Sequence, residues 1–173
     1  MSKTIRFNLI RSIILFSISL LLLGCSESRD PKMIALAKTL ITNVEPTAPI
    51  TLTDAKSLLA EDAEVVLLGR IGMGTLDPFE KGEATFVLSE APEDHGDGKS
   101  HDASECPFCR RRIEAAPLAQ VQFQDATGKP FPYSASKLLG LQAGQIVVVK
   151  GRGKYEKESD MLMISGTSLF VRP

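Results

Sequence analysis

The sequence predicts a mainly β domain, a five-stranded barrel with short helices, preceded by a signal peptide and a short helical tether. Three observations carry this reading. Between residues 64 and 173, five segments are rich in β-branched residues or alternate apolar with polar side chains, the period-2 signature of strands. Glycines fall at Gly69, Gly72 and Gly74 around the first segment and at Gly151 and Gly153 in the fourth, where a small barrel needs sharp curvature. One short helical pattern separates the third segment from the fourth.

Residues 1–24 stand apart from that domain. "MSKTIRFNLIR" carries Lys3, Arg6 and Arg11, and the twelve residues 12–23 that follow are mostly apolar. Gly24 and Cys25 come next. A basic stretch, a short apolar stretch and a small residue before the cut make a secretory signal. The apolar run falls short of the roughly 20 residues that a membrane span needs. "LLGC", Leu22 to Cys25, resembles the lipobox of bacterial lipoproteins. That resemblance implies that Cys25 is lipidated, carries acyl chains such as palmitate, and becomes the mature N-terminus in the cell envelope. Ser26, where Asp could stand, is by the same resemblance compatible with an outer membrane, with the outer face of the inner membrane as the alternative. Removal of residues 1–24 takes three of 20 basic residues and none of 21 acids, which leaves 17 against 21 and a net charge of −4. Such a chain has no basic field to attract nucleic acid.

The tether spans residues 25–50. Asp30-Pro31 suits a helix start, with Asp as cap and Pro at the first helical position. Met33, Leu36, Ala37, Leu40, Ile41 and Val44 recur at helical spacing, until Pro46 and Pro49 end the pattern. The polar face of this helix is not strongly basic, which favours packing on the domain over lying in a membrane.

The barrel domain spans residues 51–173. "TLTDAKSLLAED" predicts a short helix capped by Thr51 or Thr53. Residues 64–74 form a first strand. Residues 83–91 alternate with Ala84, Phe86 and Leu88 on one face, and residues 118–125 with Ala119, Val121 and Phe123. "SASKLLGLQAG" predicts a capped helix ending at glycine. Residues 145–158 run from an apolar strand into charge, and residues 160–173 form the last strand, with Phe170 at a core position and Gly166 at a bulge or bend. Met161 and Met163, two apart, read as core packing rather than as thioether ligands with Met73. Five strands with a helix between the third and fourth follow the order of an OB-fold. "VVLLGRIG" and "GQIVVVKGRG" resemble OB-type sequences, and the whole chain resembles exported bacterial lipoproteins that carry an OB-like barrel with a Cys-bearing loop.

The loop at 90–117 is far longer than the two to five residues usual in hairpins. It holds both histidines of the chain, His95 and His101, and two of its three cysteines, Cys106 and Cys109. Six acids (Glu90, Glu93, Asp94, Asp97, Asp102 and Glu105) face one base, Lys99, in its first half. A C-x2-C pair closes around one ion, and two imidazoles complete a tetrahedral Cys2His2 set that suits Zn²⁺. Thiolate with imidazole also suits Cu(I). The expected function is therefore a membrane-anchored module that binds a transition metal, zinc first and copper second, without catalysis, since four filled ligands leave no position for substrate or water.

Two other readings stay open. In an oxidising compartment Cys106–Cys109 can be a structural disulfide, leaving a scaffold that binds a partner protein, a glycan or an oligonucleotide. "CPFC" followed by Arg110, Arg111 and Arg112 resembles a glutaredoxin-type redox motif, which implies a thiol-disulfide oxidoreductase with Cys106 as nucleophile. Against single-strand nucleic acid, the basic cluster Lys150, Arg152, Lys154 and Lys157 holds one aromatic, Tyr155, and reads as a charged edge strand. A serine hydrolase is disfavoured by the lack of a G-x-S-x-G elbow.

Overall fold

The computed structural model describes residues 30–59, 62–72, 74–92, 111 and 115–173. Helix α1 (Pro31–Leu40) and α2 (Leu52–Leu58) precede strands β1 (Ala63–Ile71), β2 (Thr85–Glu90) and β3 (Leu118–Phe123). Helix α3 (Ala135–Leu139), β4 (Ile146–Glu156) and β5 (Met161–Val171) complete the order. Thr51 caps α2: its hydroxyl accepts the Asp54 N–H at 3.1 Å and donates to the Asp54 carboxylate at 2.9 Å. Ser134 caps α3, and Gly140 ends it in the left-handed region at φ 68°. Among the described residues no helix is long and apolar enough to cross a membrane.

The five strands form a closed barrel in the order β1-β2-β3-β5-β4. Four of the pairings are antiparallel, and β3 runs parallel to β5. Alternation explains the core. Val65, Leu67 and Ile71 of β1 point inward, as do Phe86 and Leu88 of β2 and Ala119, Val121 and Phe123 of β3. Phe86 and Phe123 stack with ring centroids 6.3 Å apart. Each such fully buried large side chain stabilises the fold by about 1.5–3 kcal/mol.

Closure depends on β4 lying tight against β5. A Cβ on Gly153 would stand 2.6 Å from the Met163 carbonyl oxygen and would overlap Ile164. A Cβ on Gly151 would overlap the Ser165 carbonyl. Between these glycines and the rest of β4, the pairing slips: Lys150 faces Ser168 and Gly151 faces Gly166, so Thr167 is the extra residue of a bulge.

That bulge corrects two readings of the sequence. Leu162 and Ile164 point inward before it and Leu169 after it, so Phe170 falls on the outer side, half-buried, and not in the core. Met161 and Met163 alternate with Leu162 and Ile164 and are likewise half-buried on the outside, so they are not core residues. The charged fourth strand is not an edge either. It pairs with β1 from Ile146 to Gly153 and with β5 along its length. Lys150, Arg152 and Lys154 are simply its outward positions, between buried Val149, Gly151 and Gly153.

Helix α1 packs on the barrel through Met33 and Leu40, so residues expected to act as tether contribute to the core from Met33 onward. It ends at Leu40, short of the proline-bounded span in the sequence. The reason is tertiary: the Thr42 N–H donates to the Leu169 carbonyl at 2.9 Å, drawing the chain onto β5 and leaving Ile41 and Val44 exposed. Arg172 fixes the same region through its Nε–H to the Glu45 carboxylate at 3.0 Å. Helix α2 is fastened to the β4–β5 turn. Lys56 Nζ and the Tyr155 hydroxyl both donate to Asp160 Oδ1, at 2.7 and 2.6 Å. These bonds hold the Asp160 carboxyl below its ordinary range and raise the Lys56 ammonium above its own.

The close β4–β5 approach makes a direct prediction. Gly153→Ala forces a methyl group into the Met163 carbonyl and should lower unfolding stability by about 1–3 kcal/mol. Urea denaturation checks this, and an unchanged midpoint would contradict the tight approach.

Candidate functional site

The loop that carries the candidate chemistry leaves the barrel at the end of β2 and rejoins it at the start of β3. The leaving end is held by Glu90. This side chain is 4% exposed and continues the inward parity of Ala84, Phe86 and Leu88. Its Oε2 accepts the Thr53 N–H at 3.0 Å and the Thr53 hydroxyl at 2.8 Å. Thr53 is the second residue of α2, so the carboxylate takes up a backbone N–H that the helix itself leaves unpaired. Of the two candidate caps in the sequence, Thr51 caps the helix and Thr53 anchors Glu90. The returning end is held by Leu118, which pairs with Met161 in the parallel β3–β5 ladder.

Beside the leaving end, Ala91 and Pro92 line an open cavity of about 610 Å³ with Leu68, Ile146, Val171 and Arg172. Its walls are aliphatic, with Gln145 and Arg172 supplying polar groups. A second cavity of about 430 Å³ lies between Ile50, Leu58 and Val66, with Glu64 and Lys150 at its rim.

His95, His101, Cys106 and Cys109 lie outside the described residues, as do the lipidation candidate Cys25 and the third methionine, Met73. Among the described residues, no group of three or more His, Cys, Asp or Glu stands together as a metal site. Of the three arginines after Cys109, Arg111 is described; it is helical and exposed.

Within the basic cluster, Arg152 is paired. Arg152 donates through Nε to Asp62 at 3.3 Å, and the Tyr155 hydroxyl is engaged with Asp160. Lys56 sits over the Tyr155 ring, 5.1 Å from its centroid. Phe86 and Phe123 are fully buried. The described outer face of β4 therefore lacks the free aromatic platforms on which bases stack.

Sequence alone places Glu90 among six loop acids and does not assign it this role. The signal is there: Glu90 keeps the inward spacing of β2, and an acid at a core position calls for a buried partner. Replacing it tests the anchor. Glu90→Leu takes away the acceptor that the Thr53 N–H and hydroxyl share and should cost about 1 kcal/mol of stability. Glu90→Gln keeps one acceptor oxygen and should cost less. Equal stability of both variants and the parent in chemical denaturation would refute this role.

No protein-family model and no curated protein matches the chain. Four solved chains match in structure. One is the aspartyl tRNA synthetase from Entamoeba histolytica, at 11% identity and a TM-score of 0.43, over 77% of this chain. The match spans 24% of that enzyme, so this chain corresponds to about a quarter of it, and the likeness is too distant to carry an argument about fold or function.

Proposed function

We propose that this chain is a lipid-anchored protein of the bacterial cell envelope whose OB-like barrel presents a transition-metal site. The ligands are His95, His101, Cys106 and Cys109, with zinc as the first metal and Cu(I) as the second. One observation carries the reading: both histidines and two of three cysteines fall within 16 residues of one insertion between β2 and β3. The OB-like assignment draws support from the barrel order β1-β2-β3-β5-β4, its parallel β3–β5 pairing and a helix between β3 and β4. The lipid anchor draws its support from "LLGC" behind a basic and an apolar stretch.

The site is structural or metal-handling. Four protein ligands satisfy a tetrahedral ion, and a catalytic zinc keeps one position open. The acids of the loop raise the local attraction for a cation and can accept the second ring N–H of each histidine, fixing its tautomer.

The test is metal content by mass spectrometry, with a thiol count, on residues 26–173 purified without chelator or affinity-tag histidines. That span keeps every buried core residue among those described, Met33 to Leu169. About one equivalent of zinc or copper, lost in Cys106→Ser, is the expected result. No metal and no free thiol would replace the reading with a disulfide-stapled scaffold. No metal with two reactive thiols would replace it with a thiol oxidoreductase.

A further inference from the structure

One side of α1 is explained by the core and the other is not. Met33 and Leu40 are buried against the barrel, with Leu36 and Ala37 partly buried beside them. Ile34 is 42% exposed and Ile41 36%, and Val44 just beyond is 76% exposed. The Ile41 N–H donates to the Ala37 carbonyl at 2.9 Å, so Ile41 still follows the helical curve. Seven residues therefore place Ile34 and Ile41 on the same side, about 10 Å apart. Lys38, four residues after one and three before the other, is exposed on the stripe between them.

Single exposed aliphatic residues are ordinary on a protein surface. The position of this pair is what distinguishes it. Five residues, Ser26 to Asp30, separate the lipidation candidate Cys25 from the first residue of α1. Fully extended, that connection reaches about 20 Å. A helix so close to an acyl anchor meets the membrane at high effective concentration, so it needs little intrinsic affinity to stay there. A lysine between two isoleucines suits the boundary between headgroups and acyl chains, with the side-chain stems inward and the ammonium at the phosphates. The weakly basic polar face, which argues against an independent membrane helix, is no obstacle to one already tethered.

We infer that the Ile34–Lys38–Ile41 side of α1 rests on the surface of the bilayer that holds the Cys25 anchor. The occupant of this face is lipid. The inference rests on the lipid-anchor reading proposed above, and its test separates the two.

The chain has no tryptophan, so one introduced indole reports alone. The full chain is matured in a bacterial host as Ile34→Trp and, separately, as Glu158→Trp. Position 158 lies in the β4–β5 turn. That turn stands at the opposite end of β5 from Leu169, where the chain after α1 docks, about 30 Å along the strand. Both proteins are checked by mass for lipid on Cys25 and placed in vesicles of phosphatidylcholine with a minority of phosphatidylglycerol. In Ile34→Trp the indole emission should shift to the blue and be quenched by brominated acyl chains, while in Glu158→Trp it should do neither. Lipid on Cys25 with unshifted emission from Ile34→Trp, or equal quenching in both variants, would overturn the seating and leave the anchor reading standing. Absence of lipid on Cys25 would overturn the anchor reading and the seating together.

Discussion

The structure depends on how closely β4 can approach β5. At Gly151 and Gly153 the neighbouring backbone occupies the space that a side chain would need. This approach lets β4 bend enough to pair with β5 on one side and β1 on the other, which closes the barrel. The bulge at Thr167 adds local twist in the same place and resets which β5 residues face inward. The stacked Phe86 and Phe123 rings fill the interior that closure creates, and Gly166 packs against the Phe123 ring, where a Cβ would stand 2.8 Å from it.

A closed barrel is a firm mount for an insertion. The connection between β2 and β3 starts from a buried carboxylate tied to α2 and ends in a parallel ladder. Both ends are fixed by interactions that lie outside the connection itself. A loop of different chemistry mounted on a rigid scaffold is a common division of labour in functional proteins.

Much of the fold is legible in the sequence because it follows from alternation. Ala84, Phe86, Leu88, Ala119, Val121 and Phe123 are buried as their spacing predicts; of the two threonines that could cap α2, Thr51 does so, and the helix expected over 134–144 stops early, at Gly140. The failures have tertiary causes. Phe170 is misplaced by its spacing because a one-residue bulge reverses parity; Gly166 marks that bulge in the sequence, but the extra residue, Thr167, is set by the pairing with β4. Met161 and Met163 suggest core because they are apolar, although their neighbours Leu162 and Ile164 take the inward positions. Helix α1 stops early because Thr42 finds a partner on β5. Lys150, Arg152 and Lys154 suggest an edge, and they are the outer face of a strand paired on both sides. For the site, the rarity of histidine and cysteine makes the loop visible in sequence, and the anchor at Glu90 becomes visible only with Thr53 beside it.

The central claim is that the described strand pairings and buried side chains are enough to close the barrel. Amide hydrogen exchange tests it most directly, on a chain in which residues 93–110 are replaced one for one by glycine and serine. The account predicts that the amides of Leu67, Val121 and Leu162, in three different strands, keep the protection they have in the parent chain. Loss of protection across β2 and β3 in the replaced chain would contradict it, and would make the His/Cys loop part of what folds the barrel.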